Sequence, residues 1–226
     1  NIISQLVNLF NNGELVKADK LSRNLIKQYP ESYIVWNILG AVNKSLGKLS
    51  KSQNAFEKVT KLNPSYPDGF NNLGVVLNDR EKFQAAEKAC LNAIKLKPDY
   101  AIAYYNLGNS LKEQQKLDQA VEAFTKAISL KSDYIDAYNN LGIVFMSLGK
   151  LEEALQTFTN ALQKKPNFSK AYFNIGNIFK EQHDLEKAIG SYKTAIKLNP
   201  RYAEAYFNMG NALNAKGMSS AAIDAF

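Results

Sequence analysis

Histidine and cysteine are nearly missing: His183 and Cys90 are the only ones in the chain of 226 residues. A lone cysteine closes no internal disulfide, and it cannot supply a CxxC redox pair or a thiolate zinc cluster. A lone histidine rules out HExxH and any multi-histidine metal site. No GxGxxG, P-loop or GxSxG sequence is present, so neither a phosphate-cradling loop nor a nucleophile elbow can be recognised. Uncharged apolar runs also stay well short of the roughly 18 residues that a transmembrane helix needs, so no membrane insertion is expected. The opening stretch NIISQLVNLF lacks a basic segment and a small-residue cleavage site. No signal peptide is visible, and a cytoplasmic location is expected. Together these absences predict a chain with no catalytic residue, no bound cofactor and no metal, one that works by binding.

What is present is a folding composition, 46% apolar and 22% charged. Lys and Arg number 28 against 21 Asp and Glu, which gives a net charge of +7 and makes an acidic partner worth testing.

The strongest signal is an internal repeat. Gly40, Gly74, Gly108, Gly142, Gly176 and Gly210 are each 34 residues apart, and Pro30, Pro64, Pro98, Pro166 and Pro200 keep the same beat, broken only at Ser132. With those glycines as position 8, full units span 33–66, 67–100, 101–134, 135–168 and 169–202, flanked by a partial unit at 1–32 and a truncated one at 203–226. All of 1–226 is expected to form a single solenoid. Position 4 is aromatic (Trp36, Phe70, Tyr104, Tyr138, Tyr172, Tyr206), and position 7 is Leu39, Leu73, Leu107, Leu141, Ile175 or Met209. Positions 4, 7, 8 and 11 share one helical face. Position 20 is small, from Ala18 and Ser52 to Ala222, while position 24 carries Phe56, Cys90, Phe124, Phe158, Tyr192 and Phe226. Each unit therefore reads as two amphipathic helices, A and B, around a turn near positions 14–17 where Gly47 and Gly149 fit. Small residues at positions 8 and 20 allow close approach, and the aromatic at 24 fills the space beside them.

Trp36, Leu39, Gly40, Ser52, Phe56 and Pro64 resemble the signature of the tetratricopeptide repeat, over essentially the whole chain. The first unit departs, with Ile2, Gln5 and Leu6 at positions 4, 7 and 8, and the family's tyrosine at position 11 is replaced, for instance by Asn43 and Leu77. The resemblance implies an all-α, right-handed superhelix of stacked helix–turn–helix repeats with helix A on the inside.

Positions 2, 5, 6, 9, 12 and 13 of helix A are then expected on the concave side. Position 6 is Asn72, Asn106, Asn140, Asn174 and Asn208 in five consecutive units. Asparagine is a mediocre helix former, so neither propensity nor packing is expected to select it at an exposed mid-helix position. Its carboxamide carries both acceptor and donors, as recognition of a peptide group requires. Asn109, Asn177 and Asn211 add amides at position 9, and Asn37, Asn71 and Asn139 do so at position 5. Tyr105, Phe173 and Phe207 add aromatic surface, and Lys112 and Lys180 add charge. The phrases YNLGN, FNIGN and FNMGN resemble the repeat arm of the O-linked N-acetylglucosaminyltransferases. That resemblance implies that the five position-6 residues grip the backbone of an extended polypeptide, in an arm that recognises substrate for a larger protein.

Other signals read as structural. Cys90 stands where Phe124 and Phe158 stand in register, so it is expected to be a small buried hydrophobe. His183 takes the place of a turn glycine. Glu152 and Glu153 suit the start of helix B, and Lys95 and Lys97 suit its end. The sequons at Asn43 and Asn167 are expected by chance. The groove positions carry Lys44, Lys112, Lys170 and Lys180 against Asp68, Asp79, Glu113, Asp136, Glu181 and Glu204, too acidic to track phosphates, so no nucleic acid partner is expected and an RNA-binding helical repeat ranks last among the readings. Ile3, Val7 and Phe10 leave the first helix apolar on both sides, and Met209, Leu213, Ile223 and Phe226 belong to an unfinished unit, so self-association through the ends, as in a structural scaffold, is the alternative to peptide binding.

Overall fold

The computed structural model describes residues 2–225, with side chains to residue 223; Phe226, the expected knob of the last unit, lies outside the described residues. The chain divides into two compact units, 1–123 and 124–226. In the first unit run α1 (Ile2–Asn11), α2 (Leu15–Gln28), α3 (Tyr33–Ser45), α4 (Leu49–Leu62), α5 (Pro67–Asp79), α6 (Phe83–Leu96) and α7 (Ala101–Glu113). The division falls inside α8 (Leu117–Leu130). In the second unit run α9 (Ile135–Ser147), α10 (Leu151–Lys164), α11 (Ser169–Glu181), α12 (Leu185–Leu198), α13 (Ala203–Ala215) and α14 (Ser219–Ala225). Helix A of the 34-residue repeat is thus positions 1–13 and helix B positions 17–30. Within the two units α1, α3, α5, α9, α11 and α13 each pack on their own B helix, and successive A helices of a unit touch, so they form a row.

Close approach of A and B is what the glycines at position 8 provide. A Cβ on Gly40 would lie 2.6 Å from the Phe56 ring, one on Gly142 2.5 Å from Phe158, and one on Gly176 2.5 Å from Tyr192. At Gly74 the neighbour is Cys90, whose sulfur would be 2.6 Å away. Cys90 is fully buried, and burial pushes its thiol up to about 12, only partly offset by a hydrogen bond with Ser110. It is a core residue, as its register implies.

The helical wheel needs one correction. The most deeply buried residues of helix A include position 3 (Val35, Ala103, Ala137, Ala171, Ala205) and position 10 (Val42, Val76, Ser110, Val144, Ile178, Ala212). The aromatic position 4 is only half-buried throughout. Positions 3 and 10 are covered by the adjoining repeat, whereas the wheel of one hairpin sees only its own partner helix.

The turn between A and B needs one residue with positive φ. Gly13, Gly47, Gly149 and Gly217 supply it at φ between 70° and 77°, but Glu81, Gln115 and His183 adopt it at 58°, 59° and 62°. A side chain there costs roughly 1–2 kcal/mol, of which glycine's extra unfolded-state entropy offsets about half. Replacing Glu81, Gln115 and His183 together by glycine is therefore expected to stabilise the protein by about 2 kcal/mol in urea denaturation. A lower midpoint would show that these side chains make compensating contacts.

Candidate peptide-binding groove

Along the row of A helices, position 6 of one repeat meets position 5 of the repeat before it, an offset of 35 residues. In the first unit Asn72 Nδ2 donates to Asn37 Oδ1 at 3.1 Å, and Asn106 Nδ2 to Asn71 Oδ1 at 2.8 Å. In the second unit Asn174 Nδ2 donates to Asn139 Oδ1 at 3.1 Å. Asn208 Nδ2 instead reaches position 9, donating to Asn177 Oδ1 at 2.9 Å. That oxygen also accepts from the Tyr192 hydroxyl at 2.8 Å. The ladder asparagines are tied to their neighbours, each bond contributing about 0.5–1.5 kcal/mol net.

Asn106 and Asn174 are only 7% and 9% exposed, while Asn72, Asn140 and Asn208 are half-buried. The expectation that position 6 is an exposed site without a structural reason for asparagine is corrected here. Two neighbouring amides satisfy one another where a lone buried amide would be costly. The network continues inward: Ser110 Oγ lies 2.9 Å from both Asn78 Oδ1 and the Asn106 carbonyl, which share its one hydrogen, and Asn78 Nδ2 donates to the same carbonyl at 3.2 Å.

A hollow of about 230 Å³ lies beside this row in the first unit, lined by Phe10, Ala41, Lys44, Ser45, Asn72 and Val75 with the edge of Phe56. Apart from Phe56, these residues occupy positions 6, 9, 12 and 13. Lys44 pairs with Asp79 of the next repeat at 3.1 Å, and Lys112 with Glu113 at 2.9 Å, so local charge is largely cancelled. Lys180 is half-buried and has no ion pair among the described residues. Asn109, Asn177 and Tyr105 are half-buried, whereas Asn211 is exposed. The three aromatic positions differ: Phe207 is 58% exposed, but Phe173 packs against Tyr202 at 4.9 Å and Tyr192 at 6.0 Å. Among the described residues no cluster of three or more His, Cys, Asp or Glu could hold a metal ion. Among the described residues no helix is long and apolar enough to cross a membrane.

Four family profiles described as TPR or tetratricopeptide repeats match residues 44–101, 89–122 with 157–190, 108–149 with 176–217, and 135–168. The chain belongs to the tetratricopeptide repeat family. Its all-α solenoid of helix–turn–helix repeats is the tetratricopeptide fold, and its repeats are those of a protein–protein interaction module. Among solved structures it is similar to YrrB, a TPR protein with an unusual peptide-binding site, at 21% identity over 87% of this chain and 97% of that one, TM-score 0.66. MamA matches at 26% identity over 74% and 97% of the two chains, TM-score 0.67. Pseudomonas aeruginosa PilF matches at 18% identity over 90% and 93%, TM-score 0.77. Among curated proteins none matches.

Proposed function

We propose that this tetratricopeptide chain binds extended polypeptide along its row of A helices, with the position-6 asparagines reading the backbone. The observation that supports this is the recurrence of Asn72, Asn106, Asn140, Asn174 and Asn208 at one groove position in five successive repeats. Neighbouring helices pack about 8–10 Å apart and an extended chain advances about 3.3–3.6 Å per residue, so each repeat meets roughly every third peptide unit. Backbone contacts make recognition tolerant of sequence. Tyr105, Phe207, Lys112 and Lys180 add a mild preference for an apolar or aromatic residue beside an acidic one. In this reading the repeats are a non-catalytic recognition arm, such as one that presents substrates to a glycosyltransferase domain.

An array of acetylated dodecapeptides, half carrying an aromatic–acidic pair, tests it against single-stranded RNA of equal length. Peptide binding that prefers that half and weakens only modestly with salt is expected. Preference for the polynucleotide with steep salt dependence would overturn it.

A specific feature favours a second reading, self-association. Ile2 and Tyr29 are exposed at a hollow of about 230 Å³ that Ile3, Leu25, Ser32 and Val35 also line. The register that holds Ser32 holds Tyr66, Tyr100, Tyr134, Phe168 and Tyr202 in the other repeats, so no ring fills it. At the other end Met209 and Leu213 pack into the cluster around Tyr192 and Ala222, while Ile223 is 73% exposed. Phe10 packs on the cluster of Leu6 and Val42, so Tyr29→Glu is a cleaner probe than any change at Phe10. Light scattering is expected to show concentration-dependent association that Tyr29→Glu reduces; a strict monomer at all concentrations would remove this reading.

A further inference from the structure

Resting on the peptide-binding reading, we infer that the unit of recognition is an interlocked asparagine pair drawn from two successive repeats, in which one member offers the peptide a donor and the other an acceptor. Each carboxamide has an oxygen with two lone pairs and an NH₂ with two hydrogens. In the pairs Asn37–Asn72 and Asn71–Asn106 the shared bond joins the Nδ2 of the later residue to the Oδ1 of the earlier. The two outer atoms of each pair, Nδ2 of Asn37 or Asn71 and Oδ1 of Asn72 or Asn106, take no part in that bond. Among the described side chains, the only sealed polar atom without a partner is Asn43 Oδ1, so none of these outer atoms is shut away from solvent. Asn71 and Asn106 are nevertheless only 5% and 7% exposed, so their reach is confined to one face.

A donor at one end and an acceptor at the other complement the C=O and N–H of a peptide unit. The shared bond holds both planes before the ligand arrives, which reduces the entropy lost on binding. The second unit is less even. Asn139 Nδ2 donates to Asn140 Oδ1 at 3.3 Å, which commits the donor end of the Asn139–Asn174 pair. Asn177 in the Asn177–Asn208 pair keeps its Nδ2 outside the bonds to Tyr192 and Asn208. Asn37, Asn71 and Asn177 are therefore the residues that read peptide carbonyls, while Asn72, Asn106, Asn174 and Asn208 read peptide N–H groups.

Asn71→Asp separates this from a purely structural role. Its carboxylate still accepts from Asn106 Nδ2, so the repeats stay joined, but the donor that would face the ligand becomes an acceptor. The probe is the dodecapeptide most strongly retained on the array, labelled with fluorescein and followed by anisotropy. Asn71→Asp is expected to weaken it tenfold or more with the helical circular-dichroism spectrum retained, although a carboxylate at a site only 5% exposed lowers the melting temperature. A set of the same peptide with single backbone N-methyl groups, titrated against the unaltered protein, is expected to show losses recurring about every third residue. Unchanged affinity for Asn71→Asp together with a flat N-methyl scan would overturn the pair assignment while leaving groove binding intact. If the variant does not fold, the N-methyl scan alone decides. An array with no binder would remove the groove reading and this assignment with it.

Discussion

Replacing Asn72, Asn106, Asn174 and Asn208 together by alanine is expected to lower folding stability by on the order of 2–6 kcal/mol. Each change deletes an inter-repeat donor and strands the oxygen of Asn37, Asn71, Asn139 or Asn177, although the last keeps the Tyr192 hydroxyl. A lost bond with its stranded acceptor costs about 1–2 kcal/mol, and alanine's higher helix propensity offsets about 0.5 kcal/mol per site. The sign decides between two pictures. Asparagines that merely faced solvent would make the fourfold variant more stable than the parent, through propensity alone. Urea denaturation followed by circular dichroism checks it, and a raised midpoint would contradict the pairing. Because a domain is stable by only about 5–15 kcal/mol, loss of peptide binding in this variant would not by itself identify the binding atoms.

Asn43→Leu is expected to act in the opposite direction, stabilising the protein by about 1–2 kcal/mol. Asn43 is buried in α3; its Nδ2 donates to the Leu39 carbonyl at 2.8 Å, but its Oδ1 is sealed without a partner. Leu77, Leu111 and Leu213 stand at the same position in other repeats, so leucine suits the backbone there. A surface groove of about 180 Å³ bounded by Trp36, Leu39 and Ala55 adjoins Asn43 and leaves room for the added methyls. At about 2–4 °C per kcal/mol for a chain of this size, calorimetry should resolve the change. A lower melting temperature would mean that the carboxamide has a partner when the protein is in solution.

Much of this architecture is legible before any coordinates. Gly40, Gly142 and Gly176 mark where the A and B helices touch, because only glycine leaves room for the rings of Phe56, Phe158 and Tyr192. Positions 3 and 10 are less legible, because Val35, Gly69 and Ala103 at one, or Val42 and Ser110 at the other, share no motif, and their cover comes from the preceding repeat, as Leu6 and Leu25 cover Val35 and Val42. The asparagine row shows the same division. Its recurrence at position 6 is plain, but the partners lie 35 residues away, one column outside a 34-residue alignment, and so the interlocking of positions 5 and 6 stays hidden. Phe173 also illustrates the limit: its place on the groove face is visible, but its packing against Tyr202 depends on the turn that leads from its own repeat into α13.

The most direct test of peptide binding along the A helices is an NMR titration of protein labelled with ¹⁵N in asparagine, using the strongest array dodecapeptide. The side-chain amide signals of Asn37, Asn71 and Asn177 are expected to shift with a common saturation curve, while those of Asn24, Asn54 and Asn92, exposed on B helices, stay still. Saturable shifts confined to Asn24, Asn54 or Asn92, with the A-helix amides unmoved, would contradict it.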